Sequence, residues 1–223
     1  MIRLTILLLT FSVFANGQDS LLVKETCKKI NELKNPDDLM EQASIVSGQL
    51  MTYLPTIENT PKEERVKAVY TFQYKLHREL KRTCPKYLID HGPKVGHRVI
   101  DFEDKFTRSE IDSLTNLCAD LSSTGVFVYV VTIDDYFPDA NITDFSNRNR
   151  EYWGQRASFE KGNVMILIST SQRQIRVSTG DVSMKYLSDE ECSKINKVII
   201  PYFKEGKYFK GIQKGLDEMK KSL

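Results

Sequence analysis

The segment VVTIDDYFPDANITDF, residues 130–145, carries an apolar run directly into four aspartates, Asp134, Asp135, Asp139 and Asp144. Adjacent carboxylates repel each other, and a hard cation that takes several oxygen ligands relieves that repulsion. In an open α/β sheet the loops converge at the carboxyl ends of the strands, so Asp134 and Asp135 are placed to hold Ca2+ or Mg2+. Asp181 follows the end of a later strand and is a candidate third ligand. The spacing is not that of an EF-hand, because no glycine or terminal glutamate falls where that loop needs them. The same residues also have a structural use: Asp134 and Asp135 can make turn hydrogen bonds, and Asp139, after Pro138, reads as a turn residue. Asn141 can cap a helix that has Asp144 in its first turn.

A phosphatase would need more. It requires cations or arginines on the phosphoryl oxygens and a nucleophile or metal-activated water in line with the leaving group. Arg173 and Arg176 are available but alternate with Gln174 along a strand and read as its exposed face. There is no phosphate-cradling glycine loop, serine-nucleophile elbow or HExxH helix. His91 and His97, beside Asp90, fall in a short segment rich in glycine and proline that positions ligands poorly.

Several elements must position these groups. From Ser20 to about Cys84 the pattern gives three helices, the third opening on TPKEE with Thr60 and Glu63 as a capping box and Pro61 at the first helical position. KYLIDHGPKVGHR is the connection, and beyond it strands alternate with helices, which predicts an α/β layer structure. RVIDF is a short strand, Thr107 and Glu110 cap the next helix, and VFVYVVTI has the continuous apolar character of a strand buried on both faces. A helix over about 142–153 precedes the strands NVMILIS and RQIRVST, which a polar turn joins. Ser188 caps a helix that Pro201 kinks or ends. In the last helix Gly211 and Gly215 are spaced for close packing.

With 32 Lys+Arg against 30 Asp+Glu the net charge is +2, which gives no basic surface for nucleic acid. MIRLTILLLTFSVFANGQDS has an early Arg3, an apolar run and small residues at Ala15 and Gly17. It reads as a signal peptide over 1–17, with a secreted or periplasmic mature chain that has no membrane span. Disulfides persist outside the cytoplasm, so Cys27 and Cys84, both in the helical third, are the expected bridge. Cys118 and Cys192 fall on apolar helix faces and read as buried thiols, with no zinc or CxxC spacing.

The order TGVFVYVVTI, FSNRNREYWG, NVMILIS, RQIRVSTG, KYLSDEE and IIPYFKEGKYFKGIQKGLDEM resembles the TPM domain, from about Val99 to Met219. The resemblance implies an α/β(α) sandwich with a central sheet flanked by helices, here preceded by a small helical N-terminal segment. The implied organisation is a signal peptide at 1–17, helices over 18–88, a linker at 89–98 and the TPM-like domain at 99–223. Family members are described as acid phosphatases, divalent-cation binders or accessory factors of membrane complexes. Typical members continue the strand ending at Gly180 with Tyr-Gly-Leu-Glu, where this chain has Asp181, Val182, Ser183 and Met184. They also carry an aspartate where Gln172 stands and an Asp-Asn-Gly turn where this chain has Glu160, Lys161 and Gly162. Polar signatures are lost while scaffold signatures survive. The leading expectation is an extracytoplasmic module binding Ca2+ or Mg2+ at Asp134, Asp135 and Asp181, with a membrane or envelope protein as a further partner. The alternatives are a metal-dependent acid phosphatase and a metal-free interaction scaffold.

Overall fold

The computed structural model describes residues 18–90, 97–154 and 161–223. The expected signal peptide, His91 and Glu160 lie outside the described residues. The chain forms two compact units, Met1–Pro93 and Lys94–Leu223.

The first unit contains helices α1 (Gln18–Asn31), α2 (Leu39–Tyr53) and α3 (Lys62–Thr83). Asp38 caps α2 by accepting from the backbone N–H of Met40 and Glu41, which satisfies two of the donors a helix start leaves open. The start of α3 differs from the expected capping box: Pro61, which has no side-chain acceptor, is the N-cap, and Thr60 lies in the preceding turn. Val23, Ile30, Phe72, Leu76 and Leu80 pack with Cys84 and Tyr87 into a small core. Cys27 and Cys84 are bridged, with a Cα–Cα distance of 5.5 Å. Such a core is small for its unit, and a crosslink that closes 57 residues of chain removes much unfolded-state entropy.

The second unit is a four-stranded sheet in the order β1-β2-β3-β4, where β1 is Val99–Asp101, β2 Phe127–Thr132, β3 Asn163–Ser169 and β4 Gln174–Thr179. The pairs β1–β2 and β2–β3 are parallel, and β3–β4 is an antiparallel hairpin. Helices α4 (Arg108–Asp120) and α5 (Ile142–Gly154) form the two crossovers, and α6 (Asp189–Lys204) and α7 (Tyr208–Ser222) follow β4. Side chains alternate across a strand, so Val128 and Val130 face one layer with Leu114 and Cys118 of α4, Ile195 and Ile199 of α6 and Ile212 and Leu216 of α7. Tyr129 faces the other layer, where its hydroxyl donates to the Arg150 carbonyl of α5 at 2.6 Å. Burial on both faces is what the unbroken apolar character of β2 requires. It is the central α/β layer with flanking helices that the sequence pattern and the family resemblance lead one to expect.

Local signals behave as expected. The capping boxes Thr107–Glu110 and Ser188–Glu191 are both formed. Gly125 closes the helix end with φ of 89°. Pro201 is the exception: it does not end α6, which runs on to Lys204. Arg98 ties α4 to β2: its guanidinium donates to the Cys118 and Val128 carbonyls and to Ser122 Oγ, and lies 4.4 Å from the Phe127 ring centre. Cys118 and Cys192 are free and buried, and burial pushes their thiols up to about 12 and about 11. Among the described residues no helix is long and apolar enough to cross a membrane.

Two stability predictions follow from packing. A Cβ at Gly215 would stand 2.5 Å from Ile199 Cδ1, so Gly215→Ala should cost about 1–3 kcal/mol in urea unfolding. The Cys27→Ser, Cys84→Ser variant should lose about 4 kcal/mol, measured on the unfolding transition of the first unit.

Candidate functional site

β2 ends at Thr132, and Ile133 still donates to the Ile168 carbonyl at 2.8 Å, so Asp134 and Asp135 stand at the carboxyl edge of the sheet, as expected. The same edge receives the end of β1 and the β3–β4 turn, because β1–β3 are parallel and β4 returns from there. Asp101 and Glu103, which the sequence reading passed over, therefore join the aspartates. The signal was available: Asp101 closes the short strand in RVIDF just as Asp134 follows its own.

These carboxylates hold the loops to one another. Asp101, 2 % exposed, accepts from Thr132 Oγ1 at 2.6 Å and from the Phe106 N–H at 2.8 Å. Thr132 Oγ1 in turn accepts from the Glu103 N–H at 3.1 Å. The Glu103 carboxylate spans to the β3–β4 turn, accepting from the Thr170 N–H (2.9 Å), Thr170 Oγ1 (2.6 Å) and the Ser171 N–H (3.2 Å). Ser171 Oγ donates to the Asp134 carbonyl, which closes the ring of three loops. Asp135 Oδ1 accepts from the Phe137 N–H at 2.8 Å, an Asx turn.

The other aspartates of the segment have structural partners as well. Asn141 caps α5, accepting from the N–H of Thr143 and Asp144, and its amide donates to Asp144 Oδ2 at 2.8 Å. Asp139 does more than turn the chain: it receives a forked contact from Arg148, with Nη2 2.7 Å and Nε 3.0 Å from its oxygens. That planar, charge-assisted geometry fixes the loop to the middle of α5.

Asp181 is not part of this edge. β4 runs antiparallel to β3, with Thr179 opposite Val164, so its carboxyl end lies at the amino edge of β2 and β3. A six-residue strand separates Asp181 from Asp134 by about 20 Å. The expectation that Asp181 joins Asp134 and Asp135 is corrected by this register. Arg173 sits exposed in the turn with φ of 54°, and Arg176 lies on β4, partly buried. Of His91 and His97, in the segment read as a poor place for ligands, only His97 falls among the described residues. Burial, then the charge of Arg108, holds its imidazole below the ordinary range.

Around Gly180 the chain is tightly built. Gly180 N–H donates to Ser183 Oγ at 3.0 Å, and that hydroxyl donates to the Asn163 carbonyl at 2.8 Å. A side chain at 180 would strike the Arg150 guanidinium, which explains the glycine. The 3₁₀ turn Ser183–Lys185 that follows leaves Val182 46 %, Met184 46 % and Tyr186 37 % exposed. Lys161 Nζ lies 4.6 Å from the Tyr186 ring centre.

A comparison with protein families matches the TPM domain over residues 99–222. The chain belongs to the TPM domain family. Among solved structures, the solution NMR structure of the N-terminal domain of a protein from P. gingivalis is similar, at 25% identity and a TM-score of 0.50, covering 57% of this chain and 82% of that one. The N-terminal domain of a Corynebacterium glutamicum protein, also solved by NMR, is 13% identical with a TM-score of 0.47, covering 60% and 85%. No curated protein matches the chain.

The family's divalent cation can be tested against the donors present. Ca2+ takes six to eight oxygens and Mg2+ a near-octahedral set. Among the described residues no three His, Cys, Asp or Glu side chains stand together as a metal-holding group. Asp101 and Glu103 already use both of their oxygens, and Asp135 Oδ1 is taken by the Phe137 N–H. Asp134 and Asp135 alone supply too few oxygens for a resident cation.

If these carboxylates serve the loops, Thr132→Val should cost about 1–3 kcal/mol, because it leaves Asp101 Oδ1 buried without its donor. Hydrogen exchange should quicken at the Glu103 and Phe106 amides while α6 and α7 stay protected.

Proposed function

We propose that this TPM-family protein is an extracytoplasmic binding or accessory module for a membrane or envelope protein, working without a resident metal. The observation that carries this reading is the exposed Val182, Met184 and Tyr186, three apolar side chains within five residues, in and just after the stretch Asp181–Met184 where typical members have Tyr-Gly-Leu-Glu. Apolar side chains grouped on a surface turn are costly in water and are a common mark of a protein contact. The engaged carboxylates of the opposite edge support it from the other side, since a phosphatase would need them free for a metal or a phosphoryl group. The extracytoplasmic address rests on the signal-like first residues and on the Cys27–Cys84 bridge, which is at home in an oxidising compartment.

A second reading keeps a low-affinity Ca2+ or Mg2+ contact at Asp134 and Asp135, favoured by their adjacency at the carboxyl end of β2. One NMR titration separates the two. The accessory reading expects no saturable shift in the amides of residues 133–145 up to a few millimolar cation, the range of weak extracellular sites. Saturable shifts that vanish in an Asp134→Asn, Asp135→Asn variant would establish the cation reading instead. Steady turnover of an aryl phosphate, abolished by the same variant and by a chelator, would replace both with an enzyme.

A further inference from the structure

The bridge between Cys27 and Cys84 is open to solvent on one sulfur's side. Cys84 is 2 % exposed and packs in the core of the first unit. Cys27 is half-buried and lies at a surface hollow of about 530 Å³, which it lines with Lys24, Lys28, Asn31, Glu32 and Thr83; Cys84 is not among the lining residues. Two lysines against one glutamate give the hollow a net positive charge, and Lys28 pairs with Glu32 only loosely, at 3.8 Å and largely exposed. Asn31 Nδ2 stands 3.5 Å from Cys27 Sγ.

We propose that Cys27 Sγ is a thiol-exchange site, attacked through this hollow by an anionic low-molecular-weight thiolate, with Cys84 as the leaving sulfur. In the first step the external thiolate forms a bond to Cys27 Sγ as the Cys27–Cys84 bond breaks, and Cys84 leaves as a thiolate that takes a proton from water. The product is a mixed disulfide on Cys27 and a thiol on Cys84. A second external thiolate then attacks the external sulfur of the mixed disulfide and releases Cys27 as a thiolate. The two electrons come from the two external thiols, which end as their own disulfide.

Access and charge at Cys27 favour attack there. The hollow draws a negative nucleophile toward Cys27, and the Asn31 amide with Lys24 and Lys28 stabilises the thiolate released there in the second step. Cys84 Sγ lies 3.8 Å from the Cys27 carbonyl oxygen, so the thiol formed at Cys84 has an acceptor in place. The two remaining cysteines are buried in the other unit and offer no competing attack. Exchange would release the covalent tie between α1 and the end of α3 while the small core around it persists.

The test uses the oxidised full-length mature chain under native conditions with reduced glutathione, quenched at early times by acid and N-ethylmaleimide and mapped by peptide mass spectrometry. The expected product carries glutathione on Cys27 and the alkylating agent on Cys84. Glutathione on Cys84 overturns the assignment, and so does a native chain that exchanges no faster than background while the urea-unfolded chain exchanges readily. A Lys24→Gln, Lys28→Gln variant, with its fold checked by circular dichroism, should react with glutathione at least about threefold more slowly and with the cationic thiol cysteamine no more slowly. Equal slowing of both thiols, or of neither, would remove the hollow's charge from the explanation and overturn the anionic preference.

Discussion

Strand β2 meets water on neither face, and most of the second unit is arranged by that fact. Val128 and Val130 must be covered by α4, α6 and α7, and Tyr129 and Val131 by the layer of α5, so the chain can leave the strand only at its two ends. Both ends become places where loops collect polar groups that cannot be buried elsewhere. At the carboxyl end this produces a dense arrangement in which Asp101, Thr132, Glu103, Thr170, Ser171 and Asp134 satisfy one another. A buried carboxylate is tolerated there because each oxygen of Asp101 has its own donor.

Much of this architecture was legible in the sequence because it rests on local or periodic signals. Apolar continuity in VFVYVVTI, capping boxes at Thr107 and Ser188 and the disulfide pair are properties of short segments or of compartment, and each corresponds to an observed feature. The failed box at Thr60 shows the limit of local rules. Pro61 fits either the first helical position or the residue before it, and after the 3₁₀ turn Leu54–Ile57 it takes the place before.

What the sequence withheld were relations across distance. Asp181 and Asp134 both follow strands, and a reading that treats every strand end alike groups them. Only the direction of β4 separates them, and a short polar turn specifies a hairpin without saying which edge will be the functional one. Glu103 was hidden for a related reason: its partners are 67 and 68 residues away, in a turn that carries no motif. Asp139 looked like a turn residue because the Arg148 that it binds lies nine residues on, in the middle of the next helix and beyond the reach of a turn rule.

The two sheet edges have diverged in chemistry in a way that bears on what the domain can do. The acidic edge is closed on itself, so any ligand arriving there must first displace hydrogen bonds that hold three loops in register. The opposite edge is built on a tight glycine and a satisfied Ser183, a rigid base, yet it presents Val182, Met184 and Tyr186 to water. Rigidity beneath exposed apolar side chains lowers the entropy lost when a second surface covers them. A protein surface that covers these side chains gains from that rigidity directly, which is the physical basis of the proposed accessory role.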